Sequence, residues 1–288
     1  MLARSSISPD ESVRPPLSSV SGAKNERMKP VTPTFNCQDE VERSEGLAAA
    51  QTALSSKQCV VIPTDTVYGI AADAFSPQAV ATLLAAKGRS RKMPPPVLIP
   101  RPQTMDGLAV DVSADARLLA DTFWPGGLTL IFRAQPSLTW DLGETKGTVA
   151  LRMPDDRIAL DLLALTGPLA VSSANRTGRP AAQTAAEAFA QLGESVEVYL
   201  EAGEREAGSV PSTIVDCTST PLRVVREGAL SLERLREAVP GILGLGEELP
   251  QQAPEEASVD APEPVQPRSE AADDDESAPQ PREGTVGA

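Results

Sequence analysis

The residues best suited to chemistry in this chain sit where apolar runs break off. After Cys59-Val60-Val61-Ile62 comes Pro63-Thr64-Asp65-Thr66-Val67-Tyr68-Gly69, a strand-like run opening into hydroxyls, a carboxylate and a glycine, as at the lip of a ligand cleft. A turn closed by threonine hydroxyls, with Asp65 satisfied locally, is the structural alternative. Lys87-Gly88-Arg89-Ser90-Arg91-Lys92 puts four cations in six residues at the end of a helical run. Cations there complement the helix dipole, but four exceed that need. Phosphate suits them, taken by Lys as a point charge and by Arg as a fork. A third run, Leu169-Ala170-Val171-Ser172-Ser173-Ala174-Asn175-Arg176-Thr177-Gly178, ends in hydroxyls and an amide. With Ser173 extended, its side chain and that of Asn175 face the same way, and a turn through Asn175-Arg176-Thr177-Gly178 competes with that reading. A fourth set is dispersed: Trp124-Pro125-Gly126-Gly127-Leu128-Thr129, Arg152 before Met153-Pro154, Pro211-Ser212-Thr213, and Arg226-Glu227-Gly228. Singly, each arginine of that set reads as a surface ion pair.

The 288 residues include no histidine. Ser-His-Asp triads, Cys-His dyads, His-ligated zinc and imidazole proton shuttles are therefore excluded. Ser173 has no lysine at Ser-x-x-Lys spacing to activate it, so it reads as a hydrogen-bonding residue rather than a nucleophile. Cys37, Cys59 and Cys217 stand far apart with no Cys-x-x-Cys, and read as buried reduced thiols. Neither the P-loop pattern nor the Gly-x-Gly-x-x-Gly fingerprint occurs. A nucleotide bound here is held by neither common phosphate cradle.

Short β-rich runs alternate with Ala/Leu-rich helical ones and must position these clusters. Strands are predicted at 59–63, 97–100, 128–132, 148–152, 169–172, 196–200, 213–217 and 222–226, and helices at 41–56, 77–86, 114–122, 157–165, 182–191 and 232–238. Ser76-Pro77 supplies an N-cap and a first-turn proline, and Ser113 and Asp155 start their helices similarly. The mixture indicates an α/β or α+β domain with a large sheet over residues 37–240. Residues 1–36 lack periodicity and are expected to be disordered, with Met28 a second candidate start. From Gly241 to residue 288 the chain reads as an acidic, Pro-rich disordered tail. Of the formal charge of −14, residues 241–288 carry −10 and residues 1–27 carry +1, leaving −5 for the middle. No apolar run is long enough for a membrane span, and the first 27 residues lack a secretory signal's apolar core. The expected location is cytoplasmic, with no membrane partner.

In order, these pieces resemble the YrdC-like family of L-threonylcarbamoyladenylate (threonylcarbamoyl-AMP) synthases. The matching residues are Pro63 to Gly69, Lys87-Gly88-Arg89, Pro125-Gly126-Gly127-Leu128-Thr129, Arg152-Met153-Pro154, Ser172-Ser173-Ala174-Asn175, Pro211 to Asp216, and Arg226-Glu227-Gly228. The family's Lys-x-Arg followed by Ser-x-Asn falls on Lys87/Arg89 and Ser173/Asn175. The resemblance implies an α/β fold, a single YrdC-like domain whose twisted open mixed sheet and flanking helices surround a deep basic cavity. It implies a nucleotidyltransferase condensing L-threonine, bicarbonate and ATP to threonylcarbamoyl-AMP, pyrophosphate and water. Downstream transfer proteins then modify adenosine beside the anticodon of tRNA.

By motif position, the resemblance assigns Lys87 and Arg89 as catalytic and triphosphate-binding, with Thr129, Ser173, Asn175 and Arg226 also at ATP. It assigns Thr64, Thr66, Tyr68, Arg152 and Ser212 to threonine. It implies Mg2+ carried in by ATP, without a dedicated protein site. Many relatives have histidine where Pro94-Pro95-Pro96-Val97 here leads to Leu98, so that contact to threonine is missing. The alternative is a YrdC-like double-stranded RNA-binding module without synthase activity, since a concave basic cavity can touch tRNA or duplex RNA. That needs a basic stripe, which a core of net −5 with few aromatics does not favour. The YrdC-like unit of hydrogenase-maturation carbamoyltransferases comes with segments rich in Cys and His, which this chain lacks.

Overall fold

The computed structural model describes residues 32–205 and 210–248. In chain order they form β1 (Thr34–Asn36), α1 (Glu40–Ser55), β2 (Val60–Ile62), β3 (Gly69–Asp73), α2 (Pro77–Lys87), β4 (Val97–Leu98), α3 (Met105–Leu108), β5 (Ala109–Val110), α4 (Ala114–Phe123), β6 (Leu128–Ala134), β7 (Thr148–Arg152), α5 (Arg157–Thr166), β8 (Leu169–Ser173), α6 (Ala185–Leu192), β9 (Val198–Glu201), β10 (Thr213–Asp216), β11 (Arg223–Arg226) and α7 (Leu232–Ala238). Helix starts follow side-chain caps. Ser76 and Ser113 accept from the amides of Ala79 and Ala116, and Pro77 takes the first turn of α2. The cap of α5 is Asp156 rather than Asp155, because Asp156 is the extended residue directly before the first helical turn and its carboxylate accepts from the Ala159 amide at 3.0 Å.

The strands form one mixed sheet in the order β1-β9-β2-β3-β8-β4-β7-β6-β10-β11, with β5 attached to β6. Period-two alternation sorts its side chains into two cores. Val61 of β2 and Ala170 of β8 join α2, α4, α6 and α7 in the larger core. Val60, Ile62, Leu169 and Val171 turn to the other face, where α1 and α5 cover them. That second core ends at Leu98 of β4. Beyond it, the same face of β7, β6 and β10 turns Ala150, Ile131 and Ile214 into a cavity instead. This uncovered half of a sheet face is what the fold contributes to function.

Two domain boundaries and one internal strand differ from the sequence-based expectation. Residues 34–36 are not disordered: β1 pairs in parallel with β9, and Cys37 continues the ladder by donating to Glu201 O at 2.7 Å. The folded part continues past Pro240, since Ile242 is buried, Leu243 bridges Leu222 and Val224, and Glu247 pairs with Arg236 at 2.5 Å. The remaining calls of a disordered extension and tail fall on residues 1–31 and 249–288, outside the described residues. Strand β3 was not expected because Gly69-Ile70-Ala71-Ala72-Asp73 has weak β propensity; hydrogen bonding to β2 on one side and β8 on the other makes it a strand. All three cysteines are buried, and burial pushes Cys37 up to about 11 and Cys59 up to about 12. No helix among the described residues is long and apolar enough to cross a membrane.

Gly46 shows how closely α1 is seated: a Cβ there would lie 2.8 Å from Phe35 Cβ and 2.9 Å from Leu200 Cδ2. In an open helix, Gly→Ala stabilises by up to about 1 kcal/mol. Here the crowding outweighs propensity, and Gly46→Ala is expected to lower stability by about 1–3 kcal/mol, read as a fall in denaturant midpoint.

Candidate active site

The uncovered face of β4, β7, β6 and β10 floors a cavity of about 260 Å³. Nine of the eleven residues assigned by the sequence line it: Thr64, Thr66, Tyr68, Arg89, Thr129, Arg152, Ser173, Ser212 and Arg226. They come from strands and from the loops that adjoin them, as at the crevices of other open α/β sheets. Arg152 ends β7, Thr129 lies in β6, Ser212 precedes β10, and Arg226 ends β11. Leu98 joins them as an apolar wall.

Arg152 anchors one side. It is 6% exposed and donates to Asp65 Oδ1 at 2.5 Å, Thr66 Oγ1 at 3.0 Å and Gly126 O at 2.9 Å. Burial draws its guanidinium below the ordinary value, and Asp65 opposes that shift. Thr64 Oγ1 donates to Val67 O at 2.6 Å and accepts from the amides of Thr66 and Val67. The 63–69 segment is thus both a hydroxyl-closed turn and the cleft lip. On the other side, Thr129 and Ser212 hydroxyls meet at 2.7 Å, while Arg226 at the rim donates to Ser212 O at 2.6 Å and Ser212 Oγ at 3.0 Å. Arg89 donates to Ser172 Oγ at 2.8 Å and to the carbonyls of Met93 and Pro94. Removal from water, then the charges of Arg152 and Arg89, lower the Arg226 guanidinium's pKa. Three guanidinium groups therefore share the cavity, and Asp65 is paired with one of them, Arg152.

Two expected site residues lie elsewhere. Lys87 is 3% exposed and Asn175 8%, and neither lines the cavity. The Lys87 ammonium donates to the main-chain oxygens of Ser173 and Asn175. Tyr68 contributes to the wall, but its hydroxyl turns toward Glu201 Oε1 at 2.9 Å and Gly203 O at 2.8 Å, and accepts from the Ala202 amide. Hydrogen bonding to threonine through that hydroxyl is thereby pre-empted.

Sequence reasoning left out Ser172, which lines the cavity, and Asp65 and Arg205, which brace Arg152 and Thr64 from behind it. Asp65 was findable as the carboxylate inside the Thr-Asp-Thr lip. Ser172 stands beside Ser173 but reaches Arg89, which spacing does not show. Arg205 binds Asp156 at 3.1 Å and Thr64 O at 3.3 Å, and stands over the Tyr68 ring at 5.4 Å; its loop carried no signal.

Gly228 permits the close approach that assembles the rim. A Cβ there would lie 2.6 Å from the carbonyl carbon and oxygen of Ser212, and closer still to Pro211 O. Gly228→Ala is expected to cost about 1–3 kcal/mol of stability and to displace Ser212 from Arg226. Gly107→Ala, with open space at its Cβ, should change the thermal midpoint far less.

With this geometry in hand, comparison with known proteins is direct. Residues 52–228 match the Sua5/YciO/YrdC family model, whose description reads "Telomere recombination". A protein of Mycobacterium tuberculosis named "Putative threonylcarbamoyl-AMP synthase" is 50% identical over 211 residues, covering 73% of this chain and 96% of its own length. A Bacillus subtilis threonylcarbamoyl-AMP synthase is 34% identical over 197 residues, covering 68% of this chain and 56% of its own. The crystal structure of Pyrococcus abyssi Sua5 complexed with L-threonine superposes with a TM-score of 0.70 at 31% identity, over 76% of this chain and 65% of that one. The mixed open sheet with flanking helices is shared with it. By fold, by motif and by sequence, this chain belongs to the Sua5/YciO/YrdC family.

Proposed function

We propose that the chain is an L-threonylcarbamoyladenylate synthase, condensing L-threonine, bicarbonate and ATP to threonylcarbamoyl-AMP, pyrophosphate and water. The observation that carries this reading is the convergence of Arg89, Arg152 and Arg226 on one cavity, where Asp65 is the one carboxylate paired with them among the described residues. That excess of positive charge suits a polyphosphate together with an amino-acid carboxylate. The relatives named as threonylcarbamoyl-AMP synthases, and the relative crystallised with L-threonine, support the same choice.

The chemistry asks little of side-chain acids and bases. Threonine's amine and bicarbonate give a carbamate with loss of water. The carbamate oxygen attacks the α-phosphorus of ATP, and the bond to pyrophosphate breaks. Nucleophile and leaving group both come from the substrates, so catalysis is alignment and charge neutralisation. In this reading Arg152, with Thr64 and Thr66, orients threonine, and Arg89 and Ser173 face the phosphates. Thr129, Ser212 and Arg226 close the nucleotide side. Asp65 is committed to Arg152, and no group of three metal-ligating side chains occurs among the described residues. In this reading Mg2+ enters as part of the nucleotide substrate, held by phosphate oxygens and water. In this reading the product passes to proteins that transfer the threonylcarbamoyl group to tRNA, and the enzyme works beside them in the cytoplasm. Arginines turned into a walled cavity serve small anions better than they serve an RNA duplex, whose phosphates need an outward basic stripe.

A pyrophosphate-release assay with threonine and bicarbonate omitted in turn tests the reaction. Release should require both, and release that persists without either one sinks the proposal. Arg152→Lys is expected to raise the KM for threonine by about tenfold or more with a smaller effect on ATP, because an ammonium cannot reproduce a fork that also satisfies Asp65, Thr66 and Gly126.

A further inference from the structure

The Lys-x-Arg and Ser-x-Asn residues divide into two pairs. Arg89 and Ser173 line the cavity; Lys87 and Asn175 meet beneath its wall. Lys87 ends α2, and Gly88 follows in the left-handed region at φ 60°, so the chain turns between the lysine and Arg89. The Lys87 ammonium has three N–H donors. Three oxygens face it: Ser173 O, Asn175 O at 2.6 Å and Asn175 Oδ1 at 3.5 Å. The Lys87 main-chain oxygen in turn accepts from the Thr177 amide at 2.9 Å. The Asn175 side-chain amide donates to Arg176 O at 2.9 Å and Arg179 O at 2.7 Å, closing the segment on itself. Residues 173–179 are thus wrapped on the C-terminal end of α2, and they carry Ser173 at the cavity edge.

We propose that Lys87 is a positioning residue: with Asn175 it forms a clasp that holds residues 173–179 against α2 and so presents Ser173 to the cavity, and its ammonium does not touch the phosphates. What the cavity binds rests on the synthase reading; the clasp does not. Burial, and then the charge of Arg89, lower Lys87 from 10.5 to about 8. Among the described residues Arg89 is the one charged group acting on Lys87 to that extent, and the hydrogen-bond partners of Lys87 from β8 and the following segment are neutral oxygens. The ammonium is intact below that pH and is lost as pH rises through it. A neutral amine keeps two N–H groups for three oxygens, so the segment must adjust.

Heteronuclear NMR of the full, unliganded chain tests the clasp. The Lys87 side chain should titrate with a midpoint near pH 8, as its lowered value requires. The amides of Asn175 and Thr177 should shift with the same midpoint, and Lys87→Met should abolish their titration. Amides that stay still between about pH 7 and pH 9.5, or that titrate unchanged in Lys87→Met, overturn the clasp. A second arm saturates the wild type with a non-hydrolysable ATP analogue. An ammonium that stays on its carbonyls should move in midpoint by less than about one unit; a larger rise means that it has taken a phosphate, and the proposal falls. An analogue that does not bind counts against the synthase reading, while the unliganded arm still decides the clasp. In turnover, Lys87→Met should lose about 100-fold, mainly in kcat, the scale of a misplacement near 1 Å.

Discussion

Guanidinium groups gathered in one cavity repel one another, and much of the surrounding structure answers that repulsion. Arg152 is stabilised by Asp65, by a threonine hydroxyl and by the carbonyl of Gly126. Among the described residues Arg89 and Arg226 have no carboxylate partner, and they rest on the oxygens of Met93, Pro94, Ser172 and Ser212. Neutral oxygens orient a cation without cancelling its charge. The wall is thereby left electropositive, with donors already aimed, which is the condition under which binding an anion requires little reorganisation. Stability given up in assembling like charges becomes affinity when a polyanion arrives.

That arrangement depends on where helices are absent. α1 and α5 cover one half of a sheet face, and the other half stays open over β7, β6 and β10. On the opposite face the same strands are sealed by the larger core, through Leu128, Leu130, Leu151 and Val215. Alternation along each strand therefore gives a rigid apolar backing to a solvent-reached floor, in which Thr129 and Arg152 stand among Ala150, Ile131 and Ile214. The turn at 125–127 is stitched to the end of β7 by Gly126 N to Met153 O at 2.9 Å and by Arg152 to Gly126 O. That turn is thereby tied to the strand that carries Arg152.

Much of this was legible in the order of residues, for a physical reason. Strands rich in β-branched residues announce themselves, and polar residues at their ends mark the crevice. The segments that stayed hidden are those whose conformation is imposed from outside. β3 is mostly Gly and Ala, and it is a strand because β2 and β8 bond to both its edges and because its small residues fit: a Cβ at Gly69 would sit 2.7 Å from Val171 Cγ1. β1 has three residues and exists by pairing with β9. Within the site, spacing put Lys87 with Arg89 and Ser173 with Asn175, but the direction of each side chain depends on the left-handed turn at Gly88 and on how residues 173–179 close. Neither is encoded in the spacing alone.

Carrying the ligand-facing groups on hydrogen-bonded strands has a metrical consequence. Arg152, Thr129, Ser212 and Arg226 sit in or beside β7, β6, β10 and β11, four neighbours in the sheet. Adjacent strands are about 4.8 Å apart, so three steps from β7 to β11 set a span of roughly 14 Å. The cavity is graduated like a ruler whose divisions are backbone hydrogen bonds. Lengthening or trimming loops cannot rescale it. Only exchanging a side chain changes reach, and then by the length of that side chain.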